Sequence, residues 1–113
     1  MERVKLAVPT KGDGGLEDSI SDVFGRAGRF IILEITNGSI ANVEVVENPA
    51  ASYKHGAGPI AVKMLTDMGV TAVVAREFGP GVSTLLEQNN IRKFKVDADI
   101  SVREAVHRII EKL

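Results

Sequence analysis

The chain contains no cysteine. Disulfides, a thiolate nucleophile and any metal or cluster site ligated by cysteine sulfur are therefore excluded, which leaves histidine, carboxylate and backbone as the ligands considered. Only two histidines are present. An excess of charge is missing too: fourteen basic and fifteen acidic side chains leave a formal charge of -1. No net field steers the chain toward nucleic acid or an acidic membrane surface, so neither is expected as a partner and any charged ligand must be recognised locally. No apolar run approaches the ~20 residues that cross a bilayer. The opening Met1-Glu2-Arg3 leads directly into a short apolar segment without the h-region and cleavage site of a secretion signal. A cytoplasmic protein is expected.

What is present suits one compact fold. The 113 residues are 44% hydrophobic and 26% charged, inside the globular range. A chain of this length buries roughly two-thirds of its extended surface. A single domain spanning 1–113 is expected, as a monomer or a homodimer, without repeats, low-complexity tracts or an internal linker.

Along the chain, Val4, Leu6 and Val8 alternate with Arg3, Lys5 and Ala7 up to Pro9, predicting a first strand over 3–8. The nearly continuous apolar run from Phe30 to Ile35 predicts a strand covered on both faces. Asn37-Gly38 favours a tight hairpin into a third strand over 40–46. Ile60, Ala61, Met64, Leu65 and Met68 then recur at helical spacing before Gly69, predicting a helix over 57–68. A short strand over 71–75 follows, then a turn at Gly79-Pro80-Gly81. A second helix through Val82, Leu85 and Leu86 and a last strand over 93–96 come next. Ser101 and Glu104 form a capping box, Ile100 and Ala105 a hydrophobic staple, and Val102, Val106, Ile109, Ile110 and Leu113 the buried stripe of a final helix.

The order β-β-β-α-β-α-β-α, with right-handed crossovers, predicts an α/β fold: a five-stranded mixed sheet of order 3-2-1-4-5 with strand 2 antiparallel. In that wiring the loops at 9–16, 21–29, 48–58 and 76–81 meet at one edge. They carry nine of the eleven glycines, beside the reversal of strand order where open α/β sheets bind ligands. Small residues there expose backbone N–H groups, which suits an anionic ligand.

Ser21 to Ala27 with Phe30, then Asn48-Pro49 with His55-Gly56-Ala57-Gly58, and Gly69-Val70 and Gly79-Pro80 further on, resemble the dinitrogenase iron-molybdenum cofactor biosynthesis family. The family includes nitrogenase accessory factors and small stand-alone members. The resemblance covers nearly the whole chain and implies a three-layer α/β/α, ribonuclease H-like fold. It also implies non-catalytic binding or carriage of an iron-molybdenum-sulfur or related metal-sulfur cluster, or its precursor, passed between a donor and an acceptor protein. Many members carry a histidine immediately before the Phe-Gly pair, where this chain has Val23, so no metal ligand carries over to that position. Occupancy is expected to be transient, and the isolated protein can lack the cluster.

Five residues form the candidate binding set: Gly25, Arg26, His55, Gly56 and Gly58. His55 in a loop just ahead of a helix is the candidate metal ligand through its neutral imidazole; the alternative is a surface or capping histidine. Arg26 offers an anion its planar fork of donors, or else pairs with Asp22 and stiffens the loop. Phe24 and Phe30 are expected in the core and His107 on the solvated face of the last helix. Pro9 to Gly15 lacks the Walker spacing and is expected to form a mobile lip. Two other function classes stand beside the carrier. A metal-dependent nuclease needs clustered carboxylates, and Asp13, Glu34 and Glu44 fall on no common edge. A serine hydrolase lacks its G-x-S-x-G elbow. A regulatory or interaction module binding a small anion or a protein partner would use the same loops.

Overall fold

The computed structural model describes residues 3–12, 14–96 and 99–113. Five strands form one sheet: β1 (Arg3–Thr10), β2 (Arg29–Thr36), β3 (Ser39–Glu47), β4 (Ala72–Ala75) and β5 (Arg92–Lys95), in the order β3-β2-β1-β4-β5. Strand β2 runs antiparallel to β1 and β3, while β4 is parallel to β1 and β5 to β4. The predicted order and the single reversed strand are thus observed. Helices α1 (Ala57–Asp67) and α2 (Pro80–Gln88) cover one face and α3 (Val102–Ile109) the other, giving three layers.

Alternation along each strand divides the core in two. Leu6, Val8, Ile31 and Leu33 face α3 and its Val102, Val106 and Ile109. Ala7, Phe30, Ile32 and Val73 face α1 and α2, with Ala61, Leu65 and Leu86. The period of two sorts the side chains between the faces.

Local chemistry accounts for most boundaries. Asn37 and Gly38 both take positive φ, 51° and 80°, as a two-residue hairpin of the I′ kind requires. At the end of α1, Gly69 is left-handed with φ 82° and the Val70 N–H donates to the Leu65 carbonyl, closing the helix as predicted. The Ser101 hydroxyl accepts from the Glu104 N–H at 3.2 Å, capping α3. Ile100 and Ala105 share its core cluster. The helical stripe tightens to a 3-10 turn over Ile110–Lys112.

Most boundaries lie within a residue of the expectation, and the end of β1 lies two residues beyond it. Strand β1 does not stop before Pro9 but continues to Thr10. The Lys5 carbonyl accepts from Thr71 at the β4 side, and the Pro9 carbonyl accepts from Ser21 on that same side. By alternation, the N–H that proline lacks would point away from β2. Pairing with β4 has already ended at Ala7, whereas pairing with β2 runs on through Pro9↔Phe30. The missing donor therefore costs the ladder nothing. Residues 19–21 fill the vacated position, with Thr10 bridged to Ile20.

Candidate functional site

That substitution of a loop for a strand starts the site. With Ser21 hydrogen-bonded to Pro9, the chain over 22–26 emerges above the C-terminal ends of β1 and β4. Phe24 anchors it: the ring is buried, 5.2 Å from Phe30 edge-on and 5.5 Å from Phe78. Such aromatic pairs add about 0.5–1.5 kcal/mol each beyond area burial. Phe24 and Phe30 are core anchors, as expected.

Asn48, at the end of β3, holds the loop from below. Its buried amide donates to the carbonyls of Gly25 at 2.8 Å and Ala27 at 2.9 Å, and its oxygen accepts from the Ala50 N–H at 3.0 Å. Arg26 reaches across and donates to the Lys54 carbonyl. It does not pair with Asp22, whose carboxylate is taken by Arg76 from the end of β4. Arg26 thus ties the first loop to the second while its remaining donors stay available in an exposed side chain.

The closest approach is between glycines. A Cβ on Gly25 would lie 2.8 Å from both the Cα and the nitrogen of Gly58, and a Cβ on Gly58 only 2.6 Å from Val82 Cγ2. Glycine is needed at both places because the loop backbone, the first turn of α1 and α2 are stacked in direct contact. Gly56, with φ 77°, makes the left-handed turn that starts α1.

The result is an open cleft of about 500 Å³ lined by residues 22–26, residues 54–58, and Glu77, Gly79 and Val82. Gly25, Arg26, His55, Gly56 and Gly58 all line it. The N-termini of α1 and α2 both border it: neither has a side-chain cap hydrogen bond, and Pro80 opens α2. First-turn N–H groups have no intrahelical partner and carry the positive end of the helix dipole. Arg26 and Lys54 add two cations, Asp22 and Glu77 two anions, so the formal charges cancel. Any positive potential at the cleft therefore comes from the backbone amides.

His55 is exposed on the rim. Among the described residues, no group of three His, Asp or Glu side chains comes together as a metal site. Val23, with 51% of its surface exposed, lines the cleft as an apolar lip. His107 is exposed on α3, as expected.

Two expectations about the surroundings are corrected. The loop after β1 is not a lip of the cleft: it turns under α3, where the Gly14 N–H donates to Asp18 Oδ2 at 3.0 Å and the Val102 N–H to the Asp18 carbonyl at 2.9 Å. Among its described residues, Lys11, 4.0 Å from Asp22, reaches toward the site. Three loops converge instead of four, because residues 19–21 pair with the end of β1 and pull the preceding segment to the other face. Glu34 and Glu44 pair with Asn42 and Ile32 on β3 and β2, away from the cleft lining; Asp13 lies outside the described residues. The candidate binding set left out Lys54, as well as Asn48 and Asp22 although both stand in the stretches that carry the family resemblance, and it gave no role to Arg76 as the partner of Asp22. An asparagine before proline at a strand end was the available signal for Asn48.

Fold and cleft together define a class: small α/β/α proteins with an amide-lined cleft at the carboxyl edge of the sheet. This chain belongs to the dinitrogenase iron-molybdenum cofactor family, whose model matches residues 3–112. It is 32% identical over 108 residues to an uncharacterised protein of Methanocaldococcus jannaschii, covering 96% of this chain and 86% of that one. The apo form of the orange protein from Desulfovibrio gigas superposes with a TM-score of 0.84 at 28% identity, over 96% of this chain and 88% of that one. A NifB-type protein from Thermotoga gives 0.78 at 32% identity, with coverage of 96% and 88%. No helix among the described residues is long and apolar enough to cross a membrane.

Proposed function

We propose that this protein is a non-catalytic carrier in the cytoplasm, holding an anionic metal-sulfur cluster of the iron-molybdenum cofactor type, or its precursor, for transfer between proteins. The observation that carries the reading is the convergence of two helix N-termini on one cleft in a chain of this family. Loop amides at Gly25, Gly56 and Gly58 and the Arg26 guanidinium bind the cluster's negative charge. His55 supplies one imidazole to an outer metal. A single rim imidazole without thiolate ligands gives a site that fills and empties, and a relative solved in an apo form supports a removable occupant.

The chemistry of turnover has little to build on here. His55, Asp22 and Glu77 line the cleft, but no serine, threonine, tyrosine or cysteine among the described residues does, so a base there has no hydroxyl or thiol to activate.

Anaerobic reconstitution with iron, molybdate and sulfide, followed by metal analysis, tests the reading. The wild type is expected to retain metal above a control protein, with less on Arg26→Gln and least stable retention on His55→Ala. Retention no higher than the control would sink the carrier and leave a regulatory module that binds a simple anion or a protein through the same loops.

A further inference from the structure

Asp22 stands where two cavities meet. Beside the cleft, at the ends of β4 and β5, is a second hollow of about 360 Å³ lined by Arg76, Glu77, Lys95 and Val96 as well as Asp22. Asp22 belongs to both walls. One of its carboxylate oxygens pairs with Arg76 and the other lies 4.0 Å from Lys11 Nζ. Lys11 has another carboxylate to turn to, Asp99 at 3.6 Å.

The pair is placed to break. The Asp22 side chain is 65% exposed and that of Arg76 31%, and ion pairs of such exposure are weak and screened by salt. Arg76 lines the adjoining hollow and not the cleft itself, so an anion seated at the wall the two share and the Asp22 carboxylate compete for one guanidinium.

We propose that Asp22 is a built-in competitor that keeps Arg76 neutralised in the empty site and limits how tightly an anionic guest is held. The inference rests on the anion-carrier reading and adds the residue that sets its affinity and ease of release. Because the Coulomb term scales with the charge of the guest, Asp22 penalises a dianion twice as much in free energy as a monoanion of the same shape. Lost affinity becomes the means by which cargo leaves.

Two tetrahedral probes of similar size separate the charges: tetrathiotungstate, a dianion, and tetrathiorhenate, a monoanion. Calorimetric titration of the whole chain at low salt is expected to show Asp22→Asn tightening the monoanion about threefold and the dianion about tenfold. Asp22→Ser is expected to behave alike, Asp22→Glu like the wild type, and Arg76→Gln in the Asp22→Asn background to cancel the gain. The gain is expected to shrink at high salt, with the thermal midpoint of each variant confirming a folded chain. Suppose the wild type binds tetrathiotungstate and Arg26→Gln weakens it, but Asp22→Asn and Asp22→Ser bind no tighter: the competitor is then overturned and the carrier stands. Absence of binding by the wild type and every variant overturns the anion site itself, and the competitor with it.

Discussion

Two glycine-rich stretches of this chain look alike as sequence and do opposite things in the fold. Around Gly12 and Gly14 the loop wraps a side chain: a Cβ at Gly12 would meet Asp18 Oδ2 at 3.0 Å, and one at Gly14 would meet Asp18 Cβ at 3.4 Å. Asp18 in turn accepts from the Gly14 and Ser19 N–H groups, so the turn consumes its own donors. At Gly25 the contact is backbone on backbone, against Gly58, and Gly58 in turn meets Val82, so elements far apart in sequence touch, and the first-turn amides of α1 and α2 border the cleft. Glycine near a ligand edge is informative only when what it touches is known. A loop that satisfies itself binds nothing, and one that packs on another loop leaves its donors for a guest.

The sharpest way to break this contrast is to fill both stretches with a methyl group. Gly25→Ala drives a Cβ into the Gly58 backbone, which cannot swing aside, and is expected to cost about 2–4 kcal/mol in a urea unfolding titration. A loss below about 1 kcal/mol would show that the loops are not in contact. Next in size is Asn48→Ala, which leaves the Gly25 and Ala27 carbonyls without their donor. About 2 kcal/mol is expected in the same titration, with Asn48→Asp no rescue, because a carboxylate cannot donate to either carbonyl.

Gly58→Ala meets a side-chain methyl of Val82 instead of backbone, so about 1–2 kcal/mol is expected. Adding Val82→Ala should recover part of it, and strict additivity in that double-mutant cycle would refute the contact. On the other side of the sheet, Ser101→Ala removes the α3 cap for about 1 kcal/mol while leaving tetrathiotungstate binding unchanged. Smallest of all is Gly12→Ala, expected within about 1 kcal/mol because it meets the far end of one movable carboxylate. If it proved as costly as Gly25→Ala, the distinction between the two stretches would fail.

Much of this molecule was legible before any coordinates. Asn37-Gly38, Gly69 and Ser101 act through their own φ/ψ and their nearest amides, so their consequences are local and were readable. Strand order followed from the element sequence and the handedness of crossovers. The five residues proposed for binding also came out on one cleft, since all lie in loops which that strand order brings to the same edge. Pro9 was misread because its cost depends on which neighbour its missing N–H would have faced. Arg26 turned to the Lys54 carbonyl and Asp22 to Arg76 for a similar reason: partners distant in sequence are decided by the packing of three loops, about which spacing says nothing.

By itself, then, the sequence determined the alternation that splits the core between two faces, the turns, the caps and the absence of any thiolate ligand, because each is a property of a residue and its immediate neighbours. Tertiary structure alone decided which glycines touch backbone, which carboxylate holds which guanidinium, and which amides remain for a guest. Those are properties of pairs brought together across the chain, and only the folded arrangement of loops sets the distances between them.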